Sequence, residues 1–520
     1  MELGWNLPNV RTSFAQQSAP TVDWCNVARV TIDVLPDLAL LEIFDFHTNE
    51  DENQIEVWHT LVHVCRRWRI VVFGSPSRLN LRLLYTSRTP IGKMLHVWPL
   101  LPIAIRVDHC KEWNVSNIIE ALDHYSDLIC QLRLVDADDI EAMFSTRLWD
   151  MVLEAMQRPF PALTSLWLLS ATETNVVGPS FLGGTGSVPR LQTLRLYRIT
   201  FPGLSKLLLS ATHLVDLELW DVPPSGCISP EAMLTCLSVL TRLATLKIGF
   251  LSSESRSYPD RTGQRPPPLT HAVLSILTKL KFKGLCEYLE DLVAWLDVPL
   301  LDELDITFVH QLTFDTSQLI FGTLELAWFI SRTPKFKAHD QARVVFDHTC
   351  RNAQVTLPQK FGGRLSLGLS HHPFNQQLSS LAQVCSLPFP PNFIVEVKHL
   401  YIIGELSTQL FRQDVIGRSE WLELLHPFTA VEFLYIPSEF VPCIASFLQE
   451  IVEDVTEVLP VLQTIYLDER LPEVRSNSVQ EAIGQFVAAR QVASRPIAIH
   501  PWNNLLDVLK DEYGDSYSVE

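Results

Sequence analysis

The sequence predicts an α/β chain: a short helical hairpin near the N-terminus, then an irregular solenoid of strand–helix units whose strands run parallel. Three observations carry this expectation. Two apolar segments with helical spacing lie between residues 33 and 73, separated by a polar stretch. From residue 129 the hexapeptide pattern L-x-x-L-x-L recurs with conservative replacements. The stretches between these hexapeptides carry helix starts and helix-spaced apolar faces. At 520 residues, 47% hydrophobic and 19% charged, the chain has enough apolar material for a sizeable core.

The first segment, LPDLALLEIFDF, starts with Leu35-Pro36, a proline suited to the first turn of a helix. Leu38, Leu41 and Phe44 then follow on alternating turns. The second, VWHTLVHVCRRWRIVVF, places Trp58, Leu61, Cys65 and Trp68 at helical spacing and stops near Gly74-Ser75-Pro76. Between them FHTNEDENQ reads as a solvated acidic loop. Such a hairpin has one apolar face and is too small to bury it alone, so it needs a partner surface.

The ten hexapeptides are ICQLRL (129), LTSLWL (163), LQTLRL (191), LVDLEL (214), LATLKI (243), LTKLKF (277), LDELDI (301), VKHLYI (397), VEFLYI (431) and LQTIYL (462). Their spacing is 23 to 34 residues except for one interval of 96 after Leu301. This is the signature of a leucine-rich repeat, in which each unit supplies a short strand whose leucines face a stacked core. Between them, Ser229-Pro230-Glu231 opens a helix with Met233, Leu234, Leu237 and Leu240 on its buried face. Leu285, Leu289, Leu292 and Leu296 form another such face, and Ser478–Glu481 reads as a capping box ahead of Ala482 and Phe486. Inside the long interval, ARVVFD (342–347), AQVTL (353–357) and RLSLGL (364–369) alternate like strands and read as degenerate repeats. The Ser-, Arg- and Pro-rich stretch 252–268 reads as an exposed, mobile loop.

Leu35-Pro36, Ile43-Phe44 and Val64-Cys65-Arg66-Arg67-Trp68 together resemble an F-box, the helical module that attaches substrate receptors to the Skp adaptor of a cullin-RING ubiquitin ligase. The resemblance implies a helix-in-groove contact with that adaptor through Leu35, Pro36, Leu38, Leu41, Ile43, Phe44, Val64, Cys65 and Trp68. The acidic loop at 47–54 makes the spacing between the two halves longer than the family usually shows. RIVVFGSPSRLNLRLLYT, HVWPLLPIAIRV, LTKLKFKGLCEYLEDL and QFVAARQVASRPIAIHPW extend the likeness to F-box proteins expanded in mushroom-forming fungi. In those proteins an F-box-like module precedes an irregular leucine-rich repeat region, and the likeness implies repeats as far as residue 501. The expected organisation is a poorly ordered N-terminus (1–30), the F-box-like module (31–76), a linker packing on the first repeat (77–125), the repeat domain (126–501) and an acidic tail (502–520).

The formal net charge of −18 argues against nucleic acid as the main partner. The ten cysteines form no Cys-x-x-Cys pair and no zinc pattern, so no metal or cofactor is expected. A cytoplasmic or nuclear location follows from free cysteines, the lack of a signal-peptide pattern and an apolar run at Met94 too short to span a bilayer. No hydrolase elbow, zinc-protease or phosphate-loop motif is present. Gly183–Gly186 lacks the Lys-Ser/Thr of a phosphate loop, His371-His372 would face opposite sides of a strand, and Asp136, Asp138 and Asp139 lack the rest of a calcium loop. Arg66, Arg67 and Arg69 are either a contact for acid on the adaptor or a solvated helix face. The acidic run Glu287, Glu290, Asp291, Asp297, Asp302, Glu303, Asp305 reads as the polar side of a helix and its neighbouring strand, with a patch for a basic target as the alternative. The expected function is a non-catalytic substrate receptor. The rivals are a repeat scaffold with a degenerate F-box, and an enzyme hidden in the irregular 310–395 region.

Overall fold

The computed structural model describes residues 32–49, 57–86, 90–107, 115–135, 142–170, 176–178, 180–183, 188–251, 271–309, 324–336, 339–346, 352–358, 363–370, 374–385, 394, 396–404, 418–450, 458–468 and 477–502. The N-terminus 1–30, Asp136, Asp138 and Asp139, Gly184–Gly186, the loop 252–268, His371-His372 and the tail beyond Trp502 lie outside them. The chain is mixed α/β, with fourteen α-helices among the described residues and a 16-stranded, mostly parallel sheet. It divides into two compact units, 1–81 and 82–520.

The first unit holds three helices rather than a hairpin: α1 (Asp37–Asn49), α2 (Trp58–Val64) and α3 (Arg66–Gly74). The expected second helix breaks at Cys65, whose backbone is extended at φ −155° and ψ 171°. Its thiol then caps α3, accepting from the Trp68 amide at 3.4 Å. Helical spacing alone cannot reveal this break, because a one-residue kink leaves the apolar positions nearly in phase. Leu40, Leu41, Phe44, Trp58, Leu61, Val62, Val71 and Val72 are the buried residues of these helices. Phe44 packs against Trp68 with ring centroids 4.7 Å apart.

In the second unit, nine strands in succession add side by side: β1 (Leu83–Tyr85), β2 (Ile103–Val107), β3 (Ile129–Val135), β4 (Ser165–Leu169), β5 (Thr193–Tyr197), β6 (Asp216–Val222), β7 (Thr245–Phe250), β9 (Lys279–Gly284) and β11 (Glu303–Val309). A separate parallel pair, β8 (Ala272–Val273) and β10 (Leu296–Asp297), lies outside this ladder. Segment 77–125, expected as a linker, thus supplies β1 and β2. The last four residues of all ten hexapeptides lie on strands. The first, fourth and sixth residues of each hexapeptide are buried, as Leu163, Leu166 and Leu168 are at 0% exposure. The carbonyl of each second residue receives the next strand of the sheet: Thr164 O takes Gln192 N at 2.8 Å, Gln192 O takes Val215 N at 2.7 Å, and Val215 O takes Ala244 N at 2.8 Å. One sequence pattern therefore produces one repeated hydrogen-bond junction.

The 96-residue interval does not hold degenerate repeats. β12 (Gln341–Phe346), β13 (Asn352–Leu357) and β14 (Arg364–Ser370) enter the sheet in reverse, in the order β11-β14-β13-β12, and β13 is antiparallel to both neighbours. The reason is connection length: only residues 347–351 and 358–363 join them, whereas a parallel crossover needs a dozen or more. Parallel addition resumes with β15 (His399–Gly404), β16 (Phe433–Ile436), β17 (Thr464–Leu467) and β18 (Ala498–Pro501).

The remaining helices connect strands, and most of them pack on a helix next to them in sequence. They are α4 (Ile91–Val97), α5 (Val115–His124), α6 (Ala142–Ala155), α7 (Leu204–Ser210), α8 (Pro230–Leu237), α9 (Cys286–Val293), α10 (Leu324–Arg332), α11 (Phe374–Cys385), α12 (Arg418–Leu425), α13 (Val441–Glu450) and α14 (Asn477–Val492). α8 starts as expected, with Ser229 Oγ accepting from Ala232 N at 3.3 Å. The expected capping box at Ser478 is displaced, because α14 already begins at Asn477. The inward strand residues and the helix faces form one continuous core from Tyr85 to Ile497.

Candidate interaction surfaces

In the first unit the expected adaptor residues divide into two groups. Leu41 and Phe44 are 8% and 0% exposed and belong to the unit's interior, so they are not surface anchors. Trp68 and Cys65 are half-buried, one against Phe44 and the other as the α3 cap. Pro36, Leu38, Ile43 and Val64 face outward, and Leu35 is half-buried. Sequence reasoning missed four further exposed apolar residues here: Ile32, Val34, Phe46 and Ile70. On α1, Leu38, Ile43 and Phe46 lie on the side opposite Leu40, Leu41 and Phe44, which helical periodicity could have shown.

The arginine cluster is structural in part. Arg67 donates to Asp37 Oδ1 from Nε at 3.0 Å and from Nη2 at 2.7 Å, and to the Leu35 carbonyl at 2.5 Å. It thereby ties α3 to the start of α1. Arg69 donates to the Val62 carbonyl at 3.0 Å, bridging the break at Cys65.

In the second unit, the outward side chains of the sheet form a continuous row. Register places Arg106, Arg133, Trp167, Arg195, Glu218, Lys247, Lys281 and Asp305 side by side on successive ladder strands β2 to β11. The same register position continues through Ser366, Thr356 and Arg343 on the reversed strands, where all three are buried, then Tyr401, Tyr435, Tyr466 and His500. The signal was present in the sequence: it is the fifth residue of each hexapeptide, read down the ten.

The first half of the row is electrostatic. The Arg133 guanidinium lies 3.7 Å from the Trp167 ring centroid, and that of Arg195 lies 5.4 Å from it. Arg195 donates to Asp216 at 2.6 Å, and Lys247 donates to Glu218 at 3.2 Å. Lys281 pairs with Asp305 at 2.8 Å, Lys279 with Glu303 at 2.6 Å and Lys283 with Asp221 at 2.8 Å. Burial works against the Arg195 charge, but the Asp216 hydrogen bond and the nearby charges of Asp216 and Glu218 together outweigh it, and its pKa is raised. Burial, then the hydrogen bond to Glu218, pushes the Tyr197 phenol up. Trp220 lies across Gly249, where an added Cβ would come within 2.8 Å of the indole; only glycine permits that approach.

Four of the seven residues of the acidic run have partners within the sheet and its helices. Asp302 pairs with Lys335, Glu303 and Asp305 pair with strand lysines, and buried Glu290 accepts from the Leu326 amide at 3.3 Å.

The second half is aromatic. Tyr401 stacks on Tyr435 at 4.2 Å and 11°, and Tyr435 on Tyr466 at 4.6 Å and 5°. His399 stacks on Phe433 at 4.6 Å, and Trp502 sits edge-on to Tyr435 at 5.6 Å. With faces covered by neighbours, these rings leave edges and hydroxyls to any ligand. Burial, then the adjacent Tyr401, raises the Tyr435 pKa, and burial lowers that of His399.

Among the described residues no cluster of three or more His, Cys, Asp or Glu could hold a metal ion, and no helix is long and apolar enough to cross a membrane. No protein-family model matches the chain, and no curated protein is similar to it.

Proposed function

We propose that the chain is the substrate receptor of a cullin-RING ubiquitin ligase, with residues 31–76 as an F-box-like module for the Skp adaptor. The second unit acts as an irregular leucine-rich repeat solenoid that holds a protein target. One observation carries the reading. Ile32, Val34, Leu38, Ile43, Phe46, Val64 and Ile70, all within a three-helix unit, are 44% to 72% exposed. Scattered exposed apolar residues are ordinary, but this density on so small a unit suits a surface that a partner covers. Holding a target near a charged conjugating enzyme raises its effective concentration, so the receptor needs no catalytic residue of its own.

The test is adaptor pull-down with the full chain. Wild type is expected to bind, and Leu38→Asp combined with Phe46→Asp to lower capture at least about tenfold, since buried apolar anchors dominate such contacts. Both positions are exposed, so folding persists and is checked by circular dichroism. No capture by wild type, or equal capture by the double variant, sinks the reading.

A further inference from the structure

The two ends of the long sheet differ. At β1 the inward residues are covered: Leu83 and Tyr85, in register with the core residues Ile103 and Ile105, are each 1% exposed. At the other end, the register of β18 on β17 places Ile499 beside Ile465 on the inward side. Ile465 is 1% exposed and Ile499 40%, so the row of core side chains ends open to solvent in the intact chain. All four residues of β18 are exposed, and α14, the helix before it, ends in Val492 at 87% exposure. A stacked array needs a polar cap where it stops. Here the strand is Ala-Ile-His-Pro, with no Asp, Glu, Lys or Arg to guard its edge.

The backbone of this edge is open as well. Ala498 N donates to the Gln463 carbonyl at 2.8 Å and Trp502 N to the Leu467 carbonyl at 2.7 Å, so the even-numbered positions face β17. By alternation, the amides and carbonyls of Ile497 and Ile499, and the carbonyl of Pro501, point to the open side. We propose that a second copy of this chain docks here, with its β18 antiparallel to the first about a two-fold axis through Ile499. The edge is self-complementary in the way a two-fold contact requires. Ile499 exchanges a pair of hydrogen bonds with its own counterpart, and the Ile497 amide meets the carbonyl of the second copy's Pro501. The missing proline N–H therefore leaves only the Ile497 carbonyl to water. Both Ile499 side chains lie on the inward side, where each closes the open core row of the other copy. Charge favours the same place: each copy carries −18, and this strand lets two copies meet without setting like charges opposite one another.

Sedimentation velocity of the full chain tests the contact. A monomer–dimer equilibrium is expected between about 1 and 100 μM, the weak range that suits so short an edge. Raising salt from about 50 to 300 mM is expected to tighten it, because screening weakens the repulsion between two acidic chains. Ile499→Lys sets a charge on the axis and is expected to weaken association at least about tenfold. His500→Gln, on the outward side, is expected to leave it unchanged. Mild oxidation then reads the register, with wild type giving the background of the ten native cysteines. Ile499→Cys is expected to yield a cross-linked dimer, since the paired Cα atoms lie about 5.5 Å apart. Ala498→Cys is not, since its two Cα atoms lie about 8 Å apart across the axis. Thermal melts establish that each variant folds, and the concentration and salt series on wild type need no variant.

A chain that stays monomeric throughout overturns the inference, as does a dimer that salt weakens or that Ile499→Lys leaves intact. Loss of the dimer in His500→Gln also overturns it, by moving the contact to the outward face. Cross-linking of Ala498→Cys equal to that of Ile499→Cys overturns the register about Ile499.

Discussion

The two halves of the outward row share one backbone lattice and use it in opposite ways. From Arg133 to Asp305, the row is made of charged residues and one tryptophan, held by ion pairs with neighbouring strands and by cations on Trp167. From Tyr401 to Tyr466, neighbours are identical and hold one another by ring stacking. Cross-strand neighbours are the unit of interaction in a sheet, so a parallel register turns one sequence column into either a charge ladder or an aromatic stack. Ion pairs in the charged half are weakened by salt, whereas ring stacking in the aromatic half is not. The three reversed strands lie between them and keep the two chemistries apart.

Three experiments break or sharpen this contrast. The largest effect is expected at the centre of the stack: Tyr435→Ala removes the stacking contacts with Tyr401 and Tyr466 on its two sides and should cost about 3 kcal/mol. Urea denaturation should give the same loss at low and at high salt. A smaller loss, about 2 kcal/mol, is expected for Glu218→Gln, which leaves Lys247 and Arg195 facing a neutral group. Their exposure of one quarter to one third keeps it below the cost of a fully buried pair. This loss should shrink in about 1 M salt; a salt-independent loss would contradict the electrostatic assignment.

The smallest effect concerns His399. Burial lowers its pKa in the folded chain, as it does for His339. As pH falls below about 6.5, the unfolded chain takes up protons that the folded chain refuses, so stability present above that pH is lost on acidification. His399→Phe should reduce the fall in urea midpoint between about pH 7.5 and 5.5, leaving the part due to His339. An unchanged pH dependence would show that the stack on Phe433 does not hold His399 in its neutral form.

The legibility of the chain follows from what each signal encodes. The ten hexapeptides are readable because a buried strand needs its leucines at fixed alternation, and each was found on a strand. The break at Cys65 was not readable, since a kink barely disturbs apolar spacing while it redirects Arg67 toward Asp37. Leu41 and Phe44 looked like contact residues because apolar character alone does not separate a unit's interior from its docking face. The row on the sheet was legible in composition, but its order between Asp305 and Tyr401 was not.

The sequence by itself determined the repeating strand, its three inward positions and the identity of the side chain at the outward one, because all of these follow from local alternation. Tertiary structure alone decided which outward residues become neighbours, through register and through the short connections that reverse β12 to β14. It also decided which apolar residues of the helical unit are spent on its own core. Those outcomes depend on how far apart in sequence the interacting groups lie, and no local pattern records that distance.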